Sequence, residues 1–177
     1  MKKLTKLLLG VIILITLIVG VLRFMCFLYP NEYKTSVNKY SNMYDLSDEL
    51  VYAVIRAESK FDENAVSAKG AVGLMQIMEP TGDWAAEKIG LDSVDLYDPD
   101  TNIHIGCFYL AYLLDMYDED LKCTLAAYNA GQTNVNQWLE DEKYSKDGKN
   151  LDKIPFDETE KYVEKVTNNI KKYGFLY

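Results

Sequence analysis

Glu58 is the residue whose position in the 177-residue sequence first suggests acid–base chemistry. It ends an apolar helical pattern that starts at Leu50, and a segment containing Gly70 and Gly73 follows it. A carboxyl group beside apolar walls has a raised pKa because desolvation disfavours its charged form, so it can donate a proton near neutral pH. The glycines would let a ligand approach backbone N–H groups closely. On position alone, however, a solvated glutamate at a helix end is the simpler interpretation.

Residues 127–131, with the sequence Ala-Tyr-Asn-Ala-Gly, form a second candidate cluster. The small residues around Tyr128 and Asn129 would allow a flat polar ligand to reach a phenol and an amide. The cluster also has a purely structural interpretation, in which Gly131 ends a helix and Tyr128 packs in the core. Either interpretation is compatible with the sequence.

The elements that would position these residues are helices, because no convincing alternating strand pattern occurs along the chain. Ser47, followed by two acidic residues, is typical of a helix N-cap, and Asp157 with Glu160 resembles a capping box. Helices are predicted at about 33–44, 48–59, 80–89, 100–117, 121–130 and 157–173. The segments 60–78 and 140–152 are predicted to be loops.

Charge divides the chain into two unlike parts. Up to Tyr29 its only charged residues are basic: Lys2, Lys3, Lys6 and Arg23. The remainder of the chain contains the other 15 of the 19 basic residues and all 27 acidic ones, so its net charge is −12. Phosphate backbones would repel such a body, so no nucleic-acid partner is predicted.

Residues 7–29 are almost entirely apolar and are long enough, at roughly 20 residues, to cross a bilayer as a helix. We therefore predict an uncleaved, single-pass membrane anchor. The alternative is a cleaved signal peptide, which is disfavoured because no small-residue cleavage site lies between Arg23 and Pro30. The basic N-terminus would stay in the cytoplasm and the acidic body would lie outside the cell membrane.

Cysteine and histidine usage predicts neither a disulfide nor a metal site. Cys107 and Cys123 fall on consecutive predicted helices, and a helical hairpin would separate them by about 12 Å, beyond the reach of a disulfide. They are interpreted as small buried side chains. His104 has no second histidine and no nearby cysteine pair, so a zinc site is not predicted.

Four ordered groups of residues share the pattern of one known family. They are Glu58-Ser59 with Ser67, Gly70-Ala71 and 73–78; Asn102-Ile103 with Gly106 and Tyr109-Leu110; 127–131 with Val135 and Trp138-Leu139; and Ile154-Pro155-Phe156 with Glu158-Thr159 and Tyr162-Val163. The chain thus resembles the soluble lytic transglycosylase family of peptidoglycan-cleaving enzymes over roughly residues 47–173. The resemblance implies a mainly α, lysozyme-like domain of the goose-type lysozyme and transglycosylase kind, preceded by one transmembrane helix. The expected organisation is a cytoplasmic stub and anchor at 1–29, a linker or bracing helix at 30–45, and a catalytic domain at 46–177.

The resemblance also implies roles for individual residues. Glu58 would be the only catalytic carboxylate, and the substrate-binding residues would be Ser67, Gly73, Met75, Gln76, Tyr128, Asn129, Glu158 and Tyr162. No metal or organic cofactor is implied. Two departures from the family pattern, at Glu79 and at 132–133, bear on fine specificity rather than on the acid.

The implied reaction is non-hydrolytic cleavage of the β-1,4 bond between N-acetylmuramic acid and N-acetylglucosamine, with formation of a 1,6-anhydro ring. Glu58 would act first as acid and then as base, and the partner would be the glycan strands of peptidoglycan. Two alternatives remain open: a hydrolytic muramidase on the same scaffold, and a catalytically weak wall-binding or assembly module. Any partner in the cell-envelope machinery is not identified by the sequence.

Overall fold

The computed structural model describes residues 2–177, with side chains from Leu4 onward, so residue 1 of the predicted 1–29 segment lies outside the described residues. The predicted mainly helical fold is confirmed. The described chain contains eight helices: α1 (Lys2–Leu28), α2 (Lys34–Met43), α3 (Asp48–Glu58), α4 (Glu79–Ile89), α5 (Pro99–Met116), α6 (Leu121–Ala130), α7 (Gln132–Glu140) and α8 (Asp157–Leu176). Its strand-like pairing is limited to two isolated bridges within 66–77.

Local capping explains why several helices begin and end where the sequence predicts. The Ser47 hydroxyl accepts a hydrogen bond from the Leu50 N–H at 3.2 Å, which satisfies one of the free donors at the start of α3. Gly90 ends α4 in the left-handed region, with a φ of 73°. The bounds of α6 are those predicted.

The structure differs from the prediction at two helix ends. Helix α7 was not predicted, because Gly131 was interpreted only as a C-cap; with a φ of 88° it ends α6 and also precedes α7 without a side-chain cap. The capping box at Asp157 does not form, since α8 starts at Asp157 and its N-cap is Phe156. The acidic residues of this first turn instead favour the helix through its dipole, and α8 extends to Leu176.

Helix α3 is the central element of the core. Its residues Val51, Val54 and Ile55 are fully buried, and its most extensive contacts are with α8. The Asn169 amide of α8 donates a hydrogen bond to the Ala53 carbonyl at 3.4 Å. Helix α8 also packs against α6, so it connects α3 and α6 in the core.

The loop 60–78 is held against α5 by one buried amide. Asn102 is fully buried, and its Nδ2 donates to the carbonyls of Val72 at 3.0 Å and Leu96 at 2.8 Å, while its Oδ1 accepts from the Met75 N–H at 2.8 Å. The Met75 side chain packs against Gly106, where any Cβ would overlap its sulfur. The loop is therefore held in one position against α5.

Cys107 and Cys123 are fully buried free thiols, as their interpretation as small apolar side chains predicts. Burial raises the pKa of the Cys107 thiol far above its usual value. A thiol held in its neutral form is a poor nucleophile and a poor metal ligand. Both residues consequently serve packing.

Helix α1 is long and apolar enough to cross a membrane. Its segment Leu4–Leu28 has a mean hydropathy of 2.8, and none of the most apolar part is buried against the rest of the chain. A signal sequence near the N-terminus can also be apolar enough to meet this criterion. At its end, the Tyr29 ring lies edge-on against Tyr173 of α8, with ring centroids 5.7 Å apart.

Candidate active site

A cleft of about 800 Å³ contains most of the predicted site residues. Its walls come from the end of α3, the loop 60–78, the end of α6 and the start of α8. The predicted site residues that line it are Glu58, Ser67, Gln76, Tyr128, Asn129 and Glu158. Sequence positions 100 residues apart are thus brought to one surface.

Glu58 is the half-buried carboxyl group of this cleft. Desolvation by the surrounding helices raises its pKa to about 7, against the smaller opposing effects of Tyr162 and Lys165, which favour the carboxylate. Such a group is populated in both protonation states near neutral pH. It can therefore give up a proton and accept one at the same pH.

The half-buried phenol of Tyr128 and the buried phenol of Tyr162 lie beside the Glu58 carboxyl. Burial, together with the charge of Glu58, raises the pKa of both Tyr128 and Tyr162 well above the usual value, so both stay neutral. The Tyr128 hydroxyl donates to the Met75 carbonyl at 2.8 Å, which ties α6 to the loop. The Tyr162 hydroxyl is close enough to Glu58 to favour its charge but forms no hydrogen bond of normal geometry. It remains a donor that a carboxylate or a substrate oxygen could use.

Ser67 and Gln76 line the cleft and also stabilise its loop wall. The Ser67 hydroxyl accepts from the Ala71 N–H at 2.9 Å. The Gln76 amide donates to the carbonyls of Ala65 and Gly73, each at 3.0 Å, from a backbone with a φ of 49°. Their side chains are consequently held in fixed positions on the wall.

Three predicted site residues do not line the cleft. Gly73 lies behind the wall, and a Cβ there would overlap Asn102. The Met75 side chain is fully buried, and Tyr162 is 7% exposed. The structure gives Gly73 and Met75 packing positions, whereas Tyr162 reaches the site through its contact with Glu58.

The opposite wall carries polar groups from α6 and α8. The Asn129 amide oxygen accepts from the Thr159 hydroxyl at 2.8 Å, which links the end of one helix to the first turn of the other. Asp157 and Glu158 line the same wall and are exposed. Phe156 is 48% exposed and packs edge-on against Trp138, with ring centroids 5.0 Å apart.

Several cleft residues were not in the predicted site. They include Met78, Thr81, Tyr109, Asn134, Phe156, Asp157 and Thr159. Tyr109 packs against Tyr128 and also borders an adjoining pocket of about 350 Å³ that contains Trp84. Tyr109 belongs to the second matched motif, and this was the sequence signal that could have identified it as a site residue. Among the described residues no group of three His, Cys, Asp or Glu side chains could hold a metal ion.

Comparison with known proteins places the chain in a family. The pattern described as "Transglycosylase SLT domain" matches residues 35–151. The soluble lytic murein transglycosylase of Salmonella typhimurium is 33% identical over 143 residues, which cover 78% of this chain and 22% of that protein. The membrane-bound lytic murein transglycosylase C of Edwardsiella ictaluri is 28% identical over 81% of this chain and 46% of its own length.

Solved structures agree with the sequence comparison. An inactive glutamate-to-glutamine mutant of the lytic transglycosylase Slt from Pseudomonas aeruginosa has a TM-score of 0.74 at 31% identity, covering 83% of this chain and 24% of that one. The 70 kDa soluble lytic transglycosylase of Escherichia coli has a TM-score of 0.76 at 28% identity, over 85% and 25% of the two chains. The chain spans about a quarter of the length of these larger proteins. The match over 35–151 and these relatives show that the chain belongs to the transglycosylase SLT domain family.

Proposed function

We propose that the chain is a lytic transglycosylase that cleaves the glycan strands of peptidoglycan. The observation that carries the proposal is Glu58, a half-buried carboxyl with a pKa raised to about 7, on the wall of a cleft that can hold sugar units. The names of the relatives support the substrate class. The inactive glutamate-to-glutamine mutant of the Pseudomonas relative supports an essential glutamate in that protein.

In the proposed mechanism, protonated Glu58 donates its proton to the oxygen that links N-acetylmuramic acid to N-acetylglucosamine. The bond from the muramyl C1 to that oxygen breaks, and the acetamido oxygen of the same sugar stabilises the positive charge at C1. The Glu58 carboxylate then accepts the proton of the muramyl C6 hydroxyl, whose oxygen bonds to C1 and closes a 1,6-anhydro ring. Glu58 is again protonated, and no water is consumed.

The surroundings of Glu58 suit both halves of this reaction. A pKa near 7 supplies an acid for the first step and a base for the second. Lys165 and the Tyr162 hydroxyl both favour the carboxylate that exists between the steps. Ser67, Gln76 and Asn129 offer a hydroxyl and amides, which fit the neutral acetamido and hydroxyl groups of the sugars.

A hydrolytic muramidase is the second candidate, and one observation favours it. Asp157 and Glu158 are exposed carboxylates on the same cleft as Glu58. Glycosidases that use water pair an acid with a second carboxylate across the bond. One of these residues could hold a water molecule as base, and the product would then have a reducing end.

The test is digestion of purified peptidoglycan by the full chain, with mass spectrometry of the released muropeptides. We expect 1,6-anhydro products from the natural sequence and a loss of at least about a hundredfold in rate from Glu58→Gln, since general acid catalysis contributes that much or more. Glu160→Gln, an exposed change in the first turn of α8, is the matched control. Reducing ends in place of anhydro ends would favour the muramidase. Binding of glycan without cleavage by the natural sequence would favour a wall-binding module.

We also propose that α1 is a single-pass anchor, that the rest of the chain lies outside the membrane, and that residues 30–45 brace the domain. The N-terminal end of α1 carries Lys2, Lys3 and Lys6, which favours a cytoplasmic N-terminus. The bracing role of residues 30–45 is supported by α2, whose Tyr40 ring stacks on His104 of α5 with ring centroids 4.2 Å apart. Protease added to intact spheroplasts should digest the domain if it is outside, and protection would contradict this placement.

A further inference from the structure

A basic pocket of about 330 Å³ lies where Tyr29, the residue after α1, meets α8. Its cationic residues come from three segments: Arg56 near the end of α3, Lys60 in the following loop, and Lys165 and Lys172 on α8. No carboxylate lines it. Four cations are thus grouped in a part of the chain whose net charge is −12.

These cations have no ion-pair partner within the part of the chain that the structure describes, where the one salt bridge joins Lys39 to Asp100. The hydrogen bonds of two of these lysines go to uncharged groups. Lys165 donates to the Ala57 carbonyl at 2.6 Å, and Lys172 donates to the Tyr29 hydroxyl at 2.6 Å.

Mutual repulsion within the cluster is evident at Lys165. Burial lowers the pKa of Lys165, the nearby charge of Glu58 raises it, and the positive charges of Lys60 and Arg56 lower it again. The Arg56 guanidinium stacks over the Tyr29 ring at 5.4 Å. An anion in this pocket would relieve the repulsion and could accept hydrogen bonds from several donors at once.

The pocket lies at the level of the lipid headgroups if α1 crosses the membrane. Tyr29 directly follows α1, whose 27 residues rise about 40 Å, the thickness of a bilayer with its headgroups. The end of α8 carries Phe175, 75% exposed, and Tyr177, 55% exposed. The Tyr177 hydroxyl donates to the Tyr29 carbonyl at 2.9 Å, so Tyr177 lies beside the end of the anchor. Aromatic residues are typical of the membrane interface.

We propose that this basic pocket binds the phosphate of an anionic phospholipid headgroup. The inference rests on the membrane placement proposed above, but not on the catalytic reaction. Arg56 provides the planar donor fork and Lys60, Lys165 and Lys172 provide ammonium groups, which together suit a phosphate diester. A lipid bound there would hold α3 and α8 against the bilayer and so fix the orientation of the cleft on the membrane.

The test is a titration of the full chain in micelles of an uncharged maltoside detergent, followed by native mass spectrometry. The probes are dioleoylphosphatidylglycerol, dioleoylphosphatidylcholine and inorganic phosphate. We expect phosphatidylglycerol to bind more tightly than phosphatidylcholine. Replacing both Lys60 and Lys172 by Gln should weaken it by about fivefold per lysine, the effect of one cation near a charged lipid surface.

The control for lost charge is the double change Lys88→Gln and Lys161→Gln, which removes two exposed lysines outside the pocket. It should leave lipid binding unchanged. The double change Lys60→Arg and Lys172→Arg keeps both charges and should bind phosphatidylglycerol as tightly as the natural sequence does. Equal binding of the two lipids, or equal loss in the two Gln double variants, would overturn the proposal. Binding of inorganic phosphate without preference for phosphatidylglycerol would show that the pocket binds a free anion, and it would overturn the proposal of a lipid ligand. No glycan is used, so the result is independent of the proposed catalysis.

Discussion

Replacing Glu58 by Gln should stabilise the protein at high pH, because the ionised carboxyl is held in a poorly hydrated position. Burial raises its pKa in the folded state from 4.5 to about 7. The folded chain therefore holds this proton more tightly than the unfolded chain does. The resulting stability is fully present below pH 4.5 and is lost as the pH rises through 7.

The size of the effect follows from the two pKa values. At about 1.4 kcal/mol per pKa unit, the change from 4.5 to about 7 corresponds to a loss of about 3 kcal/mol above pH 7. Glutamine matches the protonated acid in shape and cannot ionise, so Glu58→Gln avoids this loss. Because the carboxyl retains some contact with solvent, about 3 kcal/mol is the upper end of the expected gain.

The assay is urea unfolding of the full chain in an uncharged detergent at pH 4.5 and pH 9, followed by the fluorescence of Trp84 and Trp138. The measured quantity is the difference in free energy of unfolding between Glu58→Gln and the natural sequence. That difference should grow by up to about 3 kcal/mol from the lower to the higher pH. The same difference for the exposed Glu160→Gln should stay nearly constant. An unchanged difference for Glu58→Gln would refute the inference that this carboxyl is desolvated.

Three further predictions concern the residues that surround Glu58 and hold its cleft. Lys165→Met removes a charge that lowers the pKa of Glu58, so the alkaline limb of the pH profile of kcat/KM should move to higher pH; a shift to lower pH would contradict this electrostatic role. Gly106→Ala places a methyl group against the sulfur of Met75 and should lower the free energy of unfolding in urea by about 1–3 kcal/mol. Asn102→Ala removes two hydrogen bonds to the cleft wall and one to Leu96, and it should cost about 3 kcal/mol while increasing proteolysis within 60–78; uniform cleavage elsewhere would argue against a local effect.

Most of the helices could be predicted because their signals are local. The N-cap at Ser47 and the C-cap at Gly90 act within one turn, and the structure contains both. Helix α7 was missed because a glycine after a helix is normally read as a stop, and no polar side chain caps the new start after Gly131. Helix α8 starts at Asp157 as predicted, but its N-cap is Phe156; its acidic first turn resembles a capping box in sequence and does not form one.

The composition of the cleft could be predicted only in part, because it depends on contacts between distant segments. Motif residues such as Ser67 and Asn129 could be identified, and both line the cleft. The sequence did not reveal that Met75 turns inward, since that depends on the space left at Gly106 on another helix.

The acidity of Glu58 shows why its position in the sequence was ambiguous. It is the last residue of α3, where the negative end of the helix dipole disfavours a carboxylate, but a surface helix end would still leave it hydrated and ordinary. Its pKa rises because neighbouring elements, among them α6 with Tyr128 and α8 with Tyr162, cover it. The rise stops near 7 because Tyr162 and Lys165, both on α8, favour the charge. The strength of the acid is therefore set by how α8 packs on α3, so substitutions at that interface should change the pH profile even where they do not touch the cleft.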